Sequence, residues 1–281
     1  MTTASATALP TPRPARAHPR PVSDVVTMVR RSLLRAVRYP GLTAFLVLGP
    51  LVMLLLFVYV FGGAFGAGVA PGVTPGAEGR AAYLHYIAPS LLILTVVGGA
   101  TSVATSAAMD AAGGIMARFR TMAIAPGSVL SGQVIGFLLQ ALTALVLVLV
   151  AAVAMGYRPG AAPLDWLALL GLFSLLGLAL NWLCVAMGLN ARSVETASNT
   201  PLILMLLPFL GSGFVPVETM PSGVRWFAGY QPFTPIIETT RTLLAGAPVN
   251  AATALQAIGW CLVLGIVGYT WARALYRRER H

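Results

Sequence analysis

The chain has 281 residues, 57% of them hydrophobic and only 9% charged, and its formal net charge of +10 comes from arginines alone, with no lysine. A soluble domain carries about 25% charged residues, so water is a poor solvent for this surface and lipid is the natural one. The arginines flank apolar runs instead of forming a continuous basic face, which argues against nucleic-acid binding and makes them topology signals.

In chain order, residues 1–21 are rich in Pro, Ala, Thr and Arg and predict a disordered arm. Residues 22–38 predict an amphipathic helix. Val22, Val26, Val29, Leu33 and Val37 form one apolar stripe, with Asp24, Arg31, Arg35 and Arg38 opposite. Such a helix lies along the membrane surface. The first transmembrane span is expected at about 42–61, with Pro50 bending it and Gly62 and Gly66 spaced for close helix approach. The second, at about 86–108, carries Thr95, Thr101, Ser102, Thr105 and Ser106, so it faces protein rather than lipid. Charges return between 109 and 126. The third and fourth spans follow at about 129–155 and 166–189, the latter with Asn181 inside.

The fifth span, at about 195–213, is short and contains Pro201 and Pro208. Residues 214–250 hold Phe214, Trp226, Tyr230, Phe233 and several prolines. They are too apolar for a free loop and too broken for a span, and predict short re-entrant or interfacial helices. The sixth span, at about 252–271, leads to a basic tail at 274–281. The fold class is therefore all-α, a polytopic membrane domain over about 22–273 with about six transmembrane helices. Fourteen of the arginines fall on the side of the two termini and four on the other, which predicts both termini in the cytoplasm and a plasma-membrane location.

A catalytic constellation is not found. The three histidines, His18, His85 and His281, have no metal-ligand spacing, and the eight acids are scattered. Cys184 and Cys261 sit in apolar runs as small buried hydrophobes. A phosphate-cradling GxxxxGK[ST] loop needs a lysine, which the chain lacks. No acid lies near a span centre, which argues against ion-coupled carriage. Uphill transport would then draw its energy from a separate subunit. A secondary transporter or channel remains the alternative.

The stretch Asp110, Gly113-Gly114-Ile115-Met116, Arg118-Phe119-Arg120, Met122, Ile124 and Pro126 resembles the cytoplasmic loop of type-2 ABC exporter permeases, the daunorubicin-resistance branch above all. Ala111-Ala112 stands where that family often has further charges. A second region, from Gly211 through Pro216, Trp226, Gln231-Pro232 and Arg241 to Gly246, resembles the family's segment between spans five and six, with Gln-Pro in place of Asn-Pro. The resemblance implies a permease subunit that dimerises with an identical or related chain. It would dock separate ATPase subunits that bind ATP and Mg, and export amphiphilic drugs, lipids or polysaccharides.

The same resemblance makes residues 110–125 the coupling helix. In it Asp110 and Gly114 enter the segment, Met116, Phe119 and Met122 anchor in an ATPase groove, and Arg118 and Arg120 sit at its rim. The surface helix at 22–38 would be a second contact. The substrate path would lie at the dimer interface near spans one, two and five. Thr95, Thr101, Thr105 and Asn181 are its candidate polar groups, with interhelical hydrogen bonding as their competing role.

Overall fold

The computed structural model describes residues 26–27, 29–30, 34, 38, 40–69, 76–113 and 126–278. The few described positions between 26 and 38 are helical, and Arg38 is exposed. The rest of the amphipathic helix, Arg31 and Arg35 included, lies outside the described residues.

All described secondary structure is helical. Helix α1 (Pro40–Leu55) passes through a π-helical turn (Leu56–Phe61) into α2 (Gly62–Val69). Pro50 sits in α1 and has no N–H to return to the preceding turn. Helix α3 (Ala77–Ala112) is the longest, followed by α4 (Pro126–Ala154) and α5 (Pro163–Asn190). Pro163 opens α5 where a missing N–H costs nothing, and the Asp165 carboxylate accepts from the Ala162 N–H at 2.8 Å. Next come α6 (Val194–Asn199), α7 (Leu202–Leu206) with a 3-10 turn (Leu207–Leu210), a second 3-10 turn (Val217–Thr219), α8 (Ser222–Tyr230), α9 (Phe233–Ala245) and α10 (Ala251–Arg278).

Helix α3 is the hub, packing on α1, α2, α4, α5 and α6, and it buries Leu91, Ile93, Val97, Ala100 and Ala104. Its expected protein-facing position is observed. Directions follow from small residues at the crossings. Gly177 lies against Val96 and Gly188 against Ala104, so α3 and α5 run the same way. Gly265 lies over Ala179 and Gly268 over Leu183, so α10 runs with α5. Gly99 meets both Ala141 of α4 and Leu46 of α1, while Gly62 meets Arg80, so α4 and the α1–α2 rod run oppositely to α3. Pro40 and Arg278 are thereby placed at the end of the bundle where α3 finishes, the end that holds Asp110.

Among the described residues five helices are long and apolar enough to cross a membrane: Leu46–Phe65, Ala77–Ala112, Leu130–Ala154, Pro163–Asn190 and Ala251–Arg277. The segment expected as the fifth span is an apolar helical stretch, Val194–Leu210, below that length. Its extent of roughly 25 Å at 1.5 Å per residue falls short of the roughly 30 Å hydrocarbon core. The prolines explain the shortfall. Pro201 separates α6 from α7, and Pro208 turns the helix into 3-10 geometry. Because α5 and α10 are parallel, the chain must return between them. The short segment makes the first part of that return, and α8 and α9 complete it.

The outer faces are apolar. Val52, Val60, Val146, Val150, Leu255, Val263 and Ile266 are all exposed, on α1, the π turn, α4 and α10. On α8, Trp226 (67% exposed) and Tyr230 pack as a tilted pair with ring centres 5.3 Å apart, in keeping with an aromatic pair for a membrane–water boundary.

Candidate functional site

Two polar clusters stand at opposite ends of the bundle. The first is where α3 ends and α4 begins, on either side of residues 114–125. Asp110 (7% exposed) is buried in the last turn of α3, one helical turn beyond Ser106. Gln133 of α4 reaches both. Its Nε2 donates to Ser106 Oγ at 2.9 Å and, at a longer 3.4 Å, to Asp110 Oδ2. Of the residues expected to couple to an ATPase, Asp110 is thus seated in a network. Gly114, Met116, Arg118, Phe119, Arg120 and Met122 lie outside the described residues.

The substrate-path candidates do not converge. Thr95 is fully buried and its hydroxyl donates to Leu91 O of its own helix at 2.8 Å. Thr101 does the same to Gly98 O at 2.8 Å, and Thr105 is half-buried on α3. Asn181, buried on α5, donates from Nδ2 to Val134 O of α4 at 3.0 Å. That bond ties two helices together. Val134 O is also within the α4 ladder, so losing the Asn181 bond strands no acceptor. Asn181→Leu is therefore expected to cost only about 0.6 kcal/mol, the average for interhelical bonds in membranes, and to leave transport intact. A thermal melt of the purified protein beside a transport assay checks this.

The second cluster closes the opposite end. Three α3 hydroxyls on one face serve three consecutive carbonyls. Tyr86 donates to Ser212 O at 2.8 Å, Ser90 to Gly213 O at 2.7 Å, and Tyr83 to Phe214 O at 3.4 Å. The stretch 211–214 is not helical, and its backbone acceptors need such donors wherever water is absent. Arg241 of α9 adds a further bond, Nη2 to Ser212 O at 2.9 Å, while Nη1 pairs with Glu238 at 2.6 Å. Its guanidinium lies 4.1 Å from the centre of the Tyr86 ring. Gly213 admits this fit because a Cβ there would meet Pro208 O at 2.7 Å.

Beside this cluster the α4–α5 loop is pinned to the end of α9. Gly160 N–H donates to Leu244 O at 2.8 Å, and Gly246 caps α9 in the left-handed region at φ 65°. Tyr157 is buried in that loop with its ring 4.8 Å from that of His85. Burial pushes its phenol up to about 12 against the opposing pull of Arg241, so it stays neutral at physiological pH.

In the sequence Arg241 stands out as an outer-side arginine and as part of the family-like segment between spans five and six, without a partner assigned, and Gln133 does not stand out. The available signals were an acid three residues before an arginine within an apolar region, and an amide inside an apolar helix.

The sequence of residues 23–245 matches the family model for the ABC-2 type transporter. The chain belongs to that family. It is a multi-pass membrane permease of the ABC-2 type, and both clusters lie within the matched region. It is 28% identical over 235 residues to the daunorubicin resistance ABC transporter permease protein DrrB1 of Streptomyces coeruleorubidus, covering 83% of this chain and 78% of that one. It is 22% identical over 192 residues to the probable doxorubicin resistance ABC transporter permease protein DrrC of two Mycobacterium tuberculosis strains, covering 66% of this chain and 70% of theirs. The expected family is thereby confirmed.

Proposed function

We propose that this chain is the membrane-spanning subunit of an ATP-driven exporter of amphiphilic compounds, with drugs, lipids and polysaccharides as the candidate classes. ATP and its Mg are bound and hydrolysed by a separate ABC ATPase. The chain works beside a second permease copy, identical or related. Both termini are cytoplasmic, which puts the Asp110 end of the bundle inside the cell and the Arg241 end outside. Residues 22–273 form the transmembrane unit, between an N-terminal arm and a basic tail. Drug-resistance permeases among the relatives support an amphiphilic drug as cargo.

The observation that carries this reading is the position of α3. It packs on nearly every other helix and ends at Ala112, with Asp110 in its last turn, next to where the 114–125 segment begins. A push on that segment by an ATPase would be delivered to the centre of the bundle and not to one edge. Residues 110–125 are the coupling element in this reading, with Phe119 as its apolar anchor and Arg120 at the rim. Arg31, Arg35 and Arg38 of the surface helix make a second contact.

The test is co-purification with the ATPase encoded beside it, followed by transport in proteoliposomes. Vanadate-sensitive transport is expected from the complex, and Phe119→Ala is expected to lower it at least tenfold. Transport without nucleotide, driven by an ion gradient alone, would replace this reading with a secondary carrier.

A further inference from the structure

We propose that Gln133 is a positioning residue that fixes the direction in which the chain leaves α3 for the 114–125 segment. It acts through Asp110 and does not itself touch ATPase or cargo. The functional consequence rests on the reading of that segment as the coupling element; the geometry does not.

Residues 114–125 leave from the end of α3 and return at the start of α4. Whatever holds Ser106 and Asp110 to Gln133 therefore holds the two feet of that excursion together. Ala107, Ala108 and Leu130, close by in the sequence of the two helix ends, are small or flexible apolar residues, all buried. Apolar contacts of that kind resist separation but tolerate sliding and rotation, whereas hydrogen bonds are directional. Ser106 and Asp110 are four residues apart on one face of α3, so a single amide can reach both.

The Gln133 NH2 group is the side that faces α3, donating to both Ser106 Oγ and Asp110 Oδ2. The other side, Oε1, is buried with no hydrogen-bond partner among the described residues. Leaving a buried acceptor unsatisfied costs about 1–3 kcal/mol. A methionine would fill a similar volume and remove that cost, but it would also remove the bonds to Ser106 and Asp110. What the amide supplies is directional bonding to α3 at the foot of the loop.

The experiment uses the full-length permease alone, with a nitroxide on Phe119→Cys. The two native cysteines, Cys184 and Cys261, are buried and leave the new thiol as the reactive one. Gln133→Met is expected to raise the mobile fraction of the label at least twofold. Gln133→Asn, which keeps an amide but is one methylene shorter, is expected to do the same and serves if the first variant is not monodisperse. The exchange Asp110→Asn with Gln133→Glu puts the carboxylate on α4 and the amide on α3, and is expected to restore the parent spectrum. Asn181→Leu removes a second buried interhelical amide, the one between α5 and α4, and is expected to change nothing at residue 119.

A spectrum unchanged by both single substitutions at Gln133 overturns the proposal, as does an exchange variant no more ordered than Gln133→Met. In the assembled complex, Gln133→Met is expected to lower transport per ATP severalfold. Failure of the parent chain to engage any ATPase would overturn the functional reading alone, because the label reports on the permease by itself.

Discussion

Replacing Gly188 with alanine is expected to cost about 2–3 kcal/mol of stability, although it adds a single methyl group. The new Cβ would overlap the carbonyl oxygen of Ala104 and stand 2.9 Å from that residue's Cα. Both are backbone atoms in the middle of α3, so no side chain can rotate away. Relief requires α3 and α5 to separate, which opens the largest apolar contact of the hub helix. Gly98→Ala is the control. A Cβ there meets nothing within 4 Å, and the substitution should stabilise the helix by about 0.5–1 kcal/mol through backbone entropy. Apparent melting temperatures of the two variants in one detergent decide the matter. Equal shifts would mean that α3 and α5 are not packed backbone to backbone.

Arg241→Met is expected to be the most damaging single change at the other end, at about 3 kcal/mol. The guanidinium joins three elements at once. It bonds Ser212 O, pairs with Glu238 on its own helix and lies over the Tyr86 ring of α3. The side chains of Arg241 and Glu238 are 19% and 37% exposed, so the ion pair itself is partly screened and most of the loss comes from the carbonyl and the ring. Arg241→Lys should rescue little, since an ammonium cannot reach Glu238 and Ser212 as a fork. Tyr86→Phe keeps the ring beneath the cation and removes one hydroxyl bond, so about 1 kcal/mol is expected. Thermal melts, with limited proteolysis across 214–230 as the local readout, rank the three. A loss from Arg241→Met no larger than that from Tyr86→Phe would show that 211–214 is held by α3 alone.

Much of this protein is legible in its amino-acid sequence. The membrane class, the long apolar helices, the protein-facing character of α3 and the interrupted 194–250 region follow from run length, hydroxyl content and proline position. These are local properties, and lipid enforces them because every backbone group in a helix must bond within that helix. The clusters at the two ends are not legible in the same way. Asp110 stands out through its place in a family-like motif. Its partner Gln133 lies on the far side of the 114–125 segment, and only the antiparallel packing of α3 on α4 brings the two together. Arg241 and Tyr86 are farther apart still. Their meeting depends on the chain turning back after Leu210, at a depth where the carbonyls of 212–214 must borrow donors from α3.

The same distinction governs Thr95 and Asn181. A hydroxyl or amide within an apolar run signals a need for a partner, and the sequence states that need. Whether the partner is the residue's own helix, as for Thr95, or a neighbouring helix, as for Asn181, depends on which faces pack. Composition and periodicity thus determined what must be buried in lipid and what must be hydrogen-bonded. The tertiary structure decided which groups satisfy one another, because hydrogen bonds act over about 3 Å and only helix packing brings residues distant in sequence within that range.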